Sequence, residues 1–151
     1  MDIWVDADAC PVVIKNLLYK IAIRTKTLVT LIANKPLKIP DSHFIKFLIV
    51  ASGFDVADNE IIQQMKQGDL VITADIPLAA EVIKKDGLAL NPRGELYTKE
   101  NIGSRLSTRD LMDTLRSSGI ETKGPPPMGL KEKQLFTNNI DRLLSKLVKN
   151  N

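Results

Sequence analysis

The sequence has little of what thiol and soft-metal chemistry needs. Its single cysteine, Cys10, excludes an internal disulfide. With His43 as the only histidine, a structural zinc site, which takes four such ligands, has only two soft donors to draw on. Aromatics are 5% of 151 residues, so Leu, Ile and Val must fill the core and base stacking is expected to be limited. No apolar run approaches the roughly 18 residues of a membrane span. The start, Met1-Asp2-Ile3-Trp4, lacks the basic and apolar stretches of a signal peptide. We therefore expect a cytosolic protein without a membrane segment, and a lone thiol fits a reducing compartment.

Charge is uneven along the chain. Residues 1–98 carry 11 Lys/Arg and 12 Asp/Glu, a net of −1, whereas residues 99–151 carry 10 and 6, a net of +4. A basic C-terminal third suits a polyanionic partner, or is a solvated helical surface.

Apolar runs at Ile3–Val5, Thr27–Ala33, Phe44–Val50, Leu70–Thr73 and Leu88–Leu90 read as buried strands. Between them, apolar residues recur at helical spacing: Ile14, Leu17, Leu18 and Ile21 after Pro11; Ile61, Ile62 and Met65 within Ala57–Gln67; Leu78, Val82 and Ile83 after Pro77. Asn91-Pro92-Arg93-Gly94 reads as a turn. Thr108 is read as the cap of a helix through Leu111, Met112 and Leu115. Gly124 to Pro127 is read as a stiff connector, followed by a helix over Lys131–Lys149 burying Leu135, Ile140, Leu143, Leu144 and Leu147. Alternation of strands and helices predicts a three-layer α/β/α arrangement around a mainly parallel sheet. Residues 1–151 are expected to form one domain with a C-terminal helical extension from about residue 124.

In such sheets ligands bind beyond the carboxyl ends of the strands. Asp6 and Asp8 follow the first strand, Asp75 follows the Leu70–Thr73 strand, and Asp58 opens the helix after the third. Four carboxylates at one edge repel one another unless a cation compensates, and Mg²⁺ or Mn²⁺ prefers such oxygen ligands. The competing reading is helix capping, open to Asp8, Asp58 and Asp75 alike. Glu60 is a weaker candidate for the same cluster. Cys10 is read as a packed small residue, and His43 as a surface residue.

The blocks Val5-Asp6-Ala7-Asp8-Ala9-Cys10-Pro11, Asp55-Val56-Ala57-Asp58-Asn59-Glu60-Ile61, Gly68 to Ala79 and Asn91-Pro92-Arg93-Gly94-Glu95 closely resemble the YaiI/YqxD family of uncharacterised bacterial proteins. Gly124-Pro125-Pro126 and Phe136–Leu144 extend the resemblance over nearly the whole chain. One departure falls at Lys131-Glu132-Lys133, where the resemblance leads us to expect an acidic-basic pair; no contact role is assigned there. That family is similar in turn to PIN and NYN nuclease-like domains, which carry an Asp after the first strand, an acid opening a middle helix, and Thr-x-Asp after the fourth strand. Asp6, Asp58 and Thr73-Ala74-Asp75 stand at these positions.

The resemblance implies a PIN-like fold and a metal-dependent nuclease, with RNA the favoured substrate. Asp6, Asp58 and Asp75 would be its catalytic residues and would ligate Mg²⁺ or Mn²⁺, with Asp8, Thr73 and Glu60 in support. Arg93, Arg105 and Arg109 are the first candidates for nucleic-acid contacts, with Lys123 and Arg142 behind them; a homodimer using the final helix is a further partner expectation. Two alternatives stand beside this. One is a non-catalytic module binding RNA or another partner. The other is a small-molecule phosphohydrolase, because Asp6-Ala7-Asp8 also resembles the Asp-x-Asp of haloacid-dehalogenase-type phosphatases, whose first Asp is the nucleophile and second the acid/base, with Lys84 or Lys85 as the downstream lysine they need.

Overall fold

The computed structural model describes residues 1–53, 55–122 and 126–149, the side chains of 147–149 excepted. Lys123, part of the expected connector and the side chain of Leu147 lie outside the described residues. The strands are β1 (Ile3–Asp6), β2 (Val29–Ala33), β3 (Ile45–Ile49), β4 (Leu70–Ile72), β5 (Leu88–Leu90) and β6 (Leu96–Tyr97). The helices are α1 (Val12–Thr25), α2 (Val56–Gln64), α3 (Ile76–Lys84), α4 (Ile102–Ser117) and α5 (Leu130–Lys149). A single 3-10 turn, Ala7–Ala9, links β1 to α1.

The strands form one sheet in the order β3-β2-β1-β4-β5-β6. All neighbours are parallel except β5 and β6. Every residue of β1, β2 and β4 is buried, as strands covered on both faces require, and hence they read as unbroken apolar runs. Successive side chains alternate between faces. Ile3, Val5, Leu31, Leu70 and Ile72 join one core with Ile14 and Leu18 of α1 and Phe136 and Ile140 of α5. Trp4, Ile32 and Val71 join a second core with Ile61 of α2 and Leu78 and Val82 of α3. The fold is thus the expected three-layer α/β/α arrangement. From β1 the chain winds outward through β2 to β3, then returns to β4 on the other side of β1. This reversal makes the carboxyl ends of β1 and β4 the switch point of the sheet.

Four local readings are corrected. The short antiparallel strand β6 follows the Asn91–Gly94 turn and closes the sheet edge. Helix α4 begins at Ile102, with Asn101 as its N-cap residue, and Thr108 is interior, its hydroxyl donating to the Ser104 carbonyl. No residue of α4 is buried, and Leu111 and Met112 are 56% and 38% exposed. In α5, Ile140 and Leu144 are buried as expected, but Phe136 takes the core position and Leu135 is 46% exposed. The buried stripe therefore follows i, i+4, i+8 from Phe136. No helix among the described residues is long and apolar enough to cross a membrane.

Candidate active site at the switch point

Asp6 is the last residue of β1, and Thr73 follows β4 directly beside it. The two strands run in parallel register with Val5 opposite Ile72, so the next residues on each meet. The Thr73 hydroxyl donates to Asp6 Oδ2 at 3.1 Å and accepts the Asp75 N–H at 3.0 Å. Because that N–H occupies the oxygen as acceptor, the single hydroxyl hydrogen is directed to Asp6. Thr73 is thus the fixed link between the two strand ends.

Asp75 is the N-cap of α3, its Oδ1 accepting from Leu78 N at 3.0 Å with Pro77 in the first turn. Capping commits only one of its two oxygens, so cap and site are compatible. Asp58 lies in the first turn of α2, but the N-cap position belongs to Asp55, in a left-handed conformation and with no side-chain cap bond. The capping reading of Asp58 is therefore wrong. Its carboxyl lies instead within hydrogen-bonding reach of Asp75.

The electrostatics follow from this crowding. Burial, then the charges of Asp75 and Asp6, push the Asp58 carboxyl up to about 7. That happens despite its place at a helix N-terminus, where the dipole favours an anion. Burial also raises the Asp6 carboxyl, the Thr73 hydrogen bond opposes this, and Asp75 and Asp8 add repulsion. Asp6, Asp58 and Asp75 therefore gather at the carboxyl ends of β1 and β4, where the charges of Asp75 and Asp6 bear on Asp58.

The other candidates divide. Asp8 sits exposed on the 3-10 turn and accepts from Asn34 N at 2.8 Å, tying down the loop after β2. It does not cap α1, whose N-cap residue is Pro11. Glu60 accepts from Gln64, one turn along α2, and is not among the charges that shift Asp58. Cys10 is buried, with its thiol pushed up to about 12 by burial, which suits packing rather than nucleophilic attack. His43 is exposed. Lys84 lies 3.7 Å from Glu81 and Lys85 donates to the Ile62 carbonyl, so neither is paired with Asp6.

The candidate arginines do come together. Arg93, Arg105 and Arg109 line one cleft of about 580 Å³, which also includes Ala74 and Ile76 on either side of Asp75. Arg116 is a fourth member that sequence reasoning missed. Its signal was present: Arg105, Arg109, Met112 and Arg116 follow i, i+4, i+7, i+11, one face of a helix that begins before Thr108. Arg105 is held by both oxygens of Glu95 at 2.7 and 2.6 Å. Asp113 lies 3.3 Å from Arg109 and 3.2 Å from Arg116. Arg93 donates to the Pro126 carbonyl and lies 3.9 Å from Glu132. Glu132 also accepts from Gly129 N at 3.0 Å, so the Lys131–Lys133 stretch does make contacts. Arg142 is exposed, and the neighbouring Asp141 pairs with Arg24 of α1 at 2.8 Å.

Among the described residues, no three His, Cys, Asp or Glu side chains are grouped so as to hold a metal ion. The Asp58–Asp75 pair still suits one type of cation. Mg²⁺ keeps most of its waters and binds through one or two carboxylates, and two acids forced together are the donor set it compensates.

No solved structure matches the chain. Three relatives, each named "UPF0178 protein", align over almost the full length. That of Hydrogenovibrio crunogenus is 62% identical over 97% of both chains. That of Colwellia psychrerythraea is 60% identical over 99% of both. That of Yersinia enterocolitica is 60% identical over 99% of this chain and 98% of its own. The pattern of the family described as "Uncharacterized BCR, YaiI/YqxD family" matches residues 4–146, and the chain belongs to that family.

Proposed function

We propose that this protein is a PIN-like, divalent-metal-dependent phosphodiester hydrolase acting on RNA in the cytosol. The observation that carries the reading is the gathering of Asp6, Asp58 and Asp75 at the switch point, where Thr73 bonds both to Asp6 and to the Asp75 backbone and the three acids repel one another. A fold that only needed helix caps would gain nothing from bringing three acids together.

Asp58 and Asp75 would hold Mg²⁺ or Mn²⁺ partly through water, with Asp6 as the third carboxylate facing it. Such an ion, when bound, would supply a more acidic water and positive charge beside the scissile phosphate. Asp58 would have to lose its proton to bind the ion, so metal affinity should rise with pH up to about 7. Thr73 keeps the Asp6 carboxylate in one orientation. Arg93, Arg105 and Arg109 lie along the adjoining cleft, where they would bind phosphates with a strong salt dependence.

The test is titration of the purified protein with Mn²⁺ and Mg²⁺ by calorimetry and thermal shift, alongside Asp6→Asn and Asp75→Asn, followed by RNA cleavage. Saturable binding and cleavage lost in a folded Asp75→Asn protein are expected. Full turnover by that variant would sink the assignment. The arginine cleft also favours a second reading, a non-catalytic RNA-binding module. Salt-dependent RNA binding without metal binding at millimolar concentration would establish that reading instead.

A further inference from the structure

A second cleft, of about 610 Å³, adjoins the arginine cleft and is also lined by Ala74 and Ile76. Its walls are mostly apolar and come from distant parts of the chain, among them Pro11, Ile76, Pro92, Tyr97 and Met128. The two clefts share Ala74, Ile76, Asn91 and Arg93. They are thus adjoining compartments that both reach the residues flanking Asp75, one mostly apolar and one lined by four arginines.

Its polar groups are oriented by their own bonds. The Asn91 Oδ1 accepts the Arg93 N–H at 2.7 Å, which fixes the amide, and the Asn91 Nδ2 then donates to the Tyr97 hydroxyl at 2.8 Å. Tyr97 Oη is an acceptor in that bond, so its hydrogen is available to donate. Burial raises the Tyr97 phenol, and the Asn91 hydrogen bond opposes this.

We propose that the apolar cleft beside Asp75 receives an unpaired nucleobase, while the adjoining phosphates run along Arg105, Arg109 and Arg116 of α4. This rests on the nuclease reading of the same edge and names the form of its substrate. The cleft is of the size that takes a small organic group, mostly apolar with a few placed polar atoms. An apolar pocket alone would fit many ligands. Its continuity with a row of arginines selects one whose flat apolar part is attached to a chain of phosphates. The guanidiniums remain reachable despite their carboxylate partners, with 42–59% of each α4 arginine side chain exposed. A base enters such a pocket only when unstacked, so the ligand is a single strand, a loop or an end. Tyr97 is the one aromatic among the described lining residues, so apolar contact holds the base and the Asn91–Tyr97 pair offers it a hydrogen-bonding group.

The experiment is fluorescence anisotropy with a short labelled RNA, single-stranded or annealed to its complement, in EDTA so that hydrolysis does not intervene. Unlabelled polyphosphate serves as competitor. Ala9 lies exposed at the rim of the pocket, so Ala9→Phe fills it without disturbing the core. Tighter binding of the single strand than of the duplex is expected. Ala9→Phe should weaken single-strand binding about tenfold, the loss of one base from its pocket, and leave competition by polyphosphate unchanged. Arg109→Ala with Arg116→Ala should weaken both. Equal affinity for duplex and single strand, or unchanged binding by a folded Ala9→Phe protein, would overturn the pocket. Single-strand binding of the expected kind with no cleavage in Mn²⁺ would instead overturn the nuclease reading and leave the pocket standing.

Discussion

Two buried aspartates sit at opposite ends of the same pair of central strands. Asp69, 6% exposed, precedes β4 at the amino end; Asp6, 9% exposed, closes β1 at the carboxyl end. Asp69 accepts three hydrogen bonds, from Asp2 N at 3.0 Å, Trp4 Nε1 at 3.0 Å and Lys66 N at 2.9 Å. It binds the chain start, the β1 indole and the turn before β4 into one unit. Asp6 accepts from Thr73 and faces Asp75, Asp58 and Asp8. Burial is the same; the difference is whether donors or other anions surround the carboxylate. A buried charge with three donors is structural, and one among like charges is held for a cation or a proton.

The sharpest way to break this contrast is Asp69→Ala. It leaves the buried Trp4 N–H and two backbone N–H groups without their acceptor and should cost about 3 kcal/mol, read as a lower urea midpoint at unchanged slope. A neutral result would remove the structural role. Next comes Thr73→Val, which cuts the link at the other end. Metal affinity or activity should fall about 10- to 100-fold, with Thr73→Ser restoring it; failure of serine to rescue would show that the hydroxyl bond is not what matters.

A smaller effect concerns pH. A carboxyl raised on folding binds more protons folded than unfolded, so its contribution to stability falls as pH rises. For Asp58 that contribution is fully present below the ordinary carboxylate range of about 4 and lost as pH passes about 7. Thermal unfolding across that window should show a declining midpoint that flattens in Asp58→Asn. The smallest effect is expected for Asp6→Asn, which keeps an acceptor for Thr73 and removes repulsion. Its melting temperature should match or exceed that of the parent, and a loss comparable to Asp69→Ala would erase the distinction.

A related contrast separates the two C-terminal helices. Both read as amphipathic, yet α5 places Phe136, Ile140 and Leu144 in the core whereas α4 buries no residue. This stripe of α5 is used within the chain and is not open to a second copy. Helix α4 instead lines the cleft with its arginines, beside the residues that flank Asp75.

Much of the acid edge was legible. Strands buried on both faces are apolar throughout, so Asp6 and Asp75 mark where they end. The role of Asp58 was less so, because a helix-opening acid looks the same whether it caps or faces a partner. Asp69 was illegible as a hub, since its donors at residues 2 and 4 lie 67 and 65 positions away. The start of α4 was obscured by Gly103 and Ser104, poor helix residues, and β6 has only two residues, too few to show a period. Arg116 was lost with the helix start.

The sequence by itself determined the alternation of strands and helices, the two strand-end aspartates and the basic C-terminal third, because periodicity and polarity are local properties. Only the tertiary structure decided which acids meet, which aspartate is satisfied, and that one helix lays its arginines beside the site. Those outcomes depend on parallel register and on the reversal of strand order between β1 and β4, which bring together residues that chain distance keeps apart.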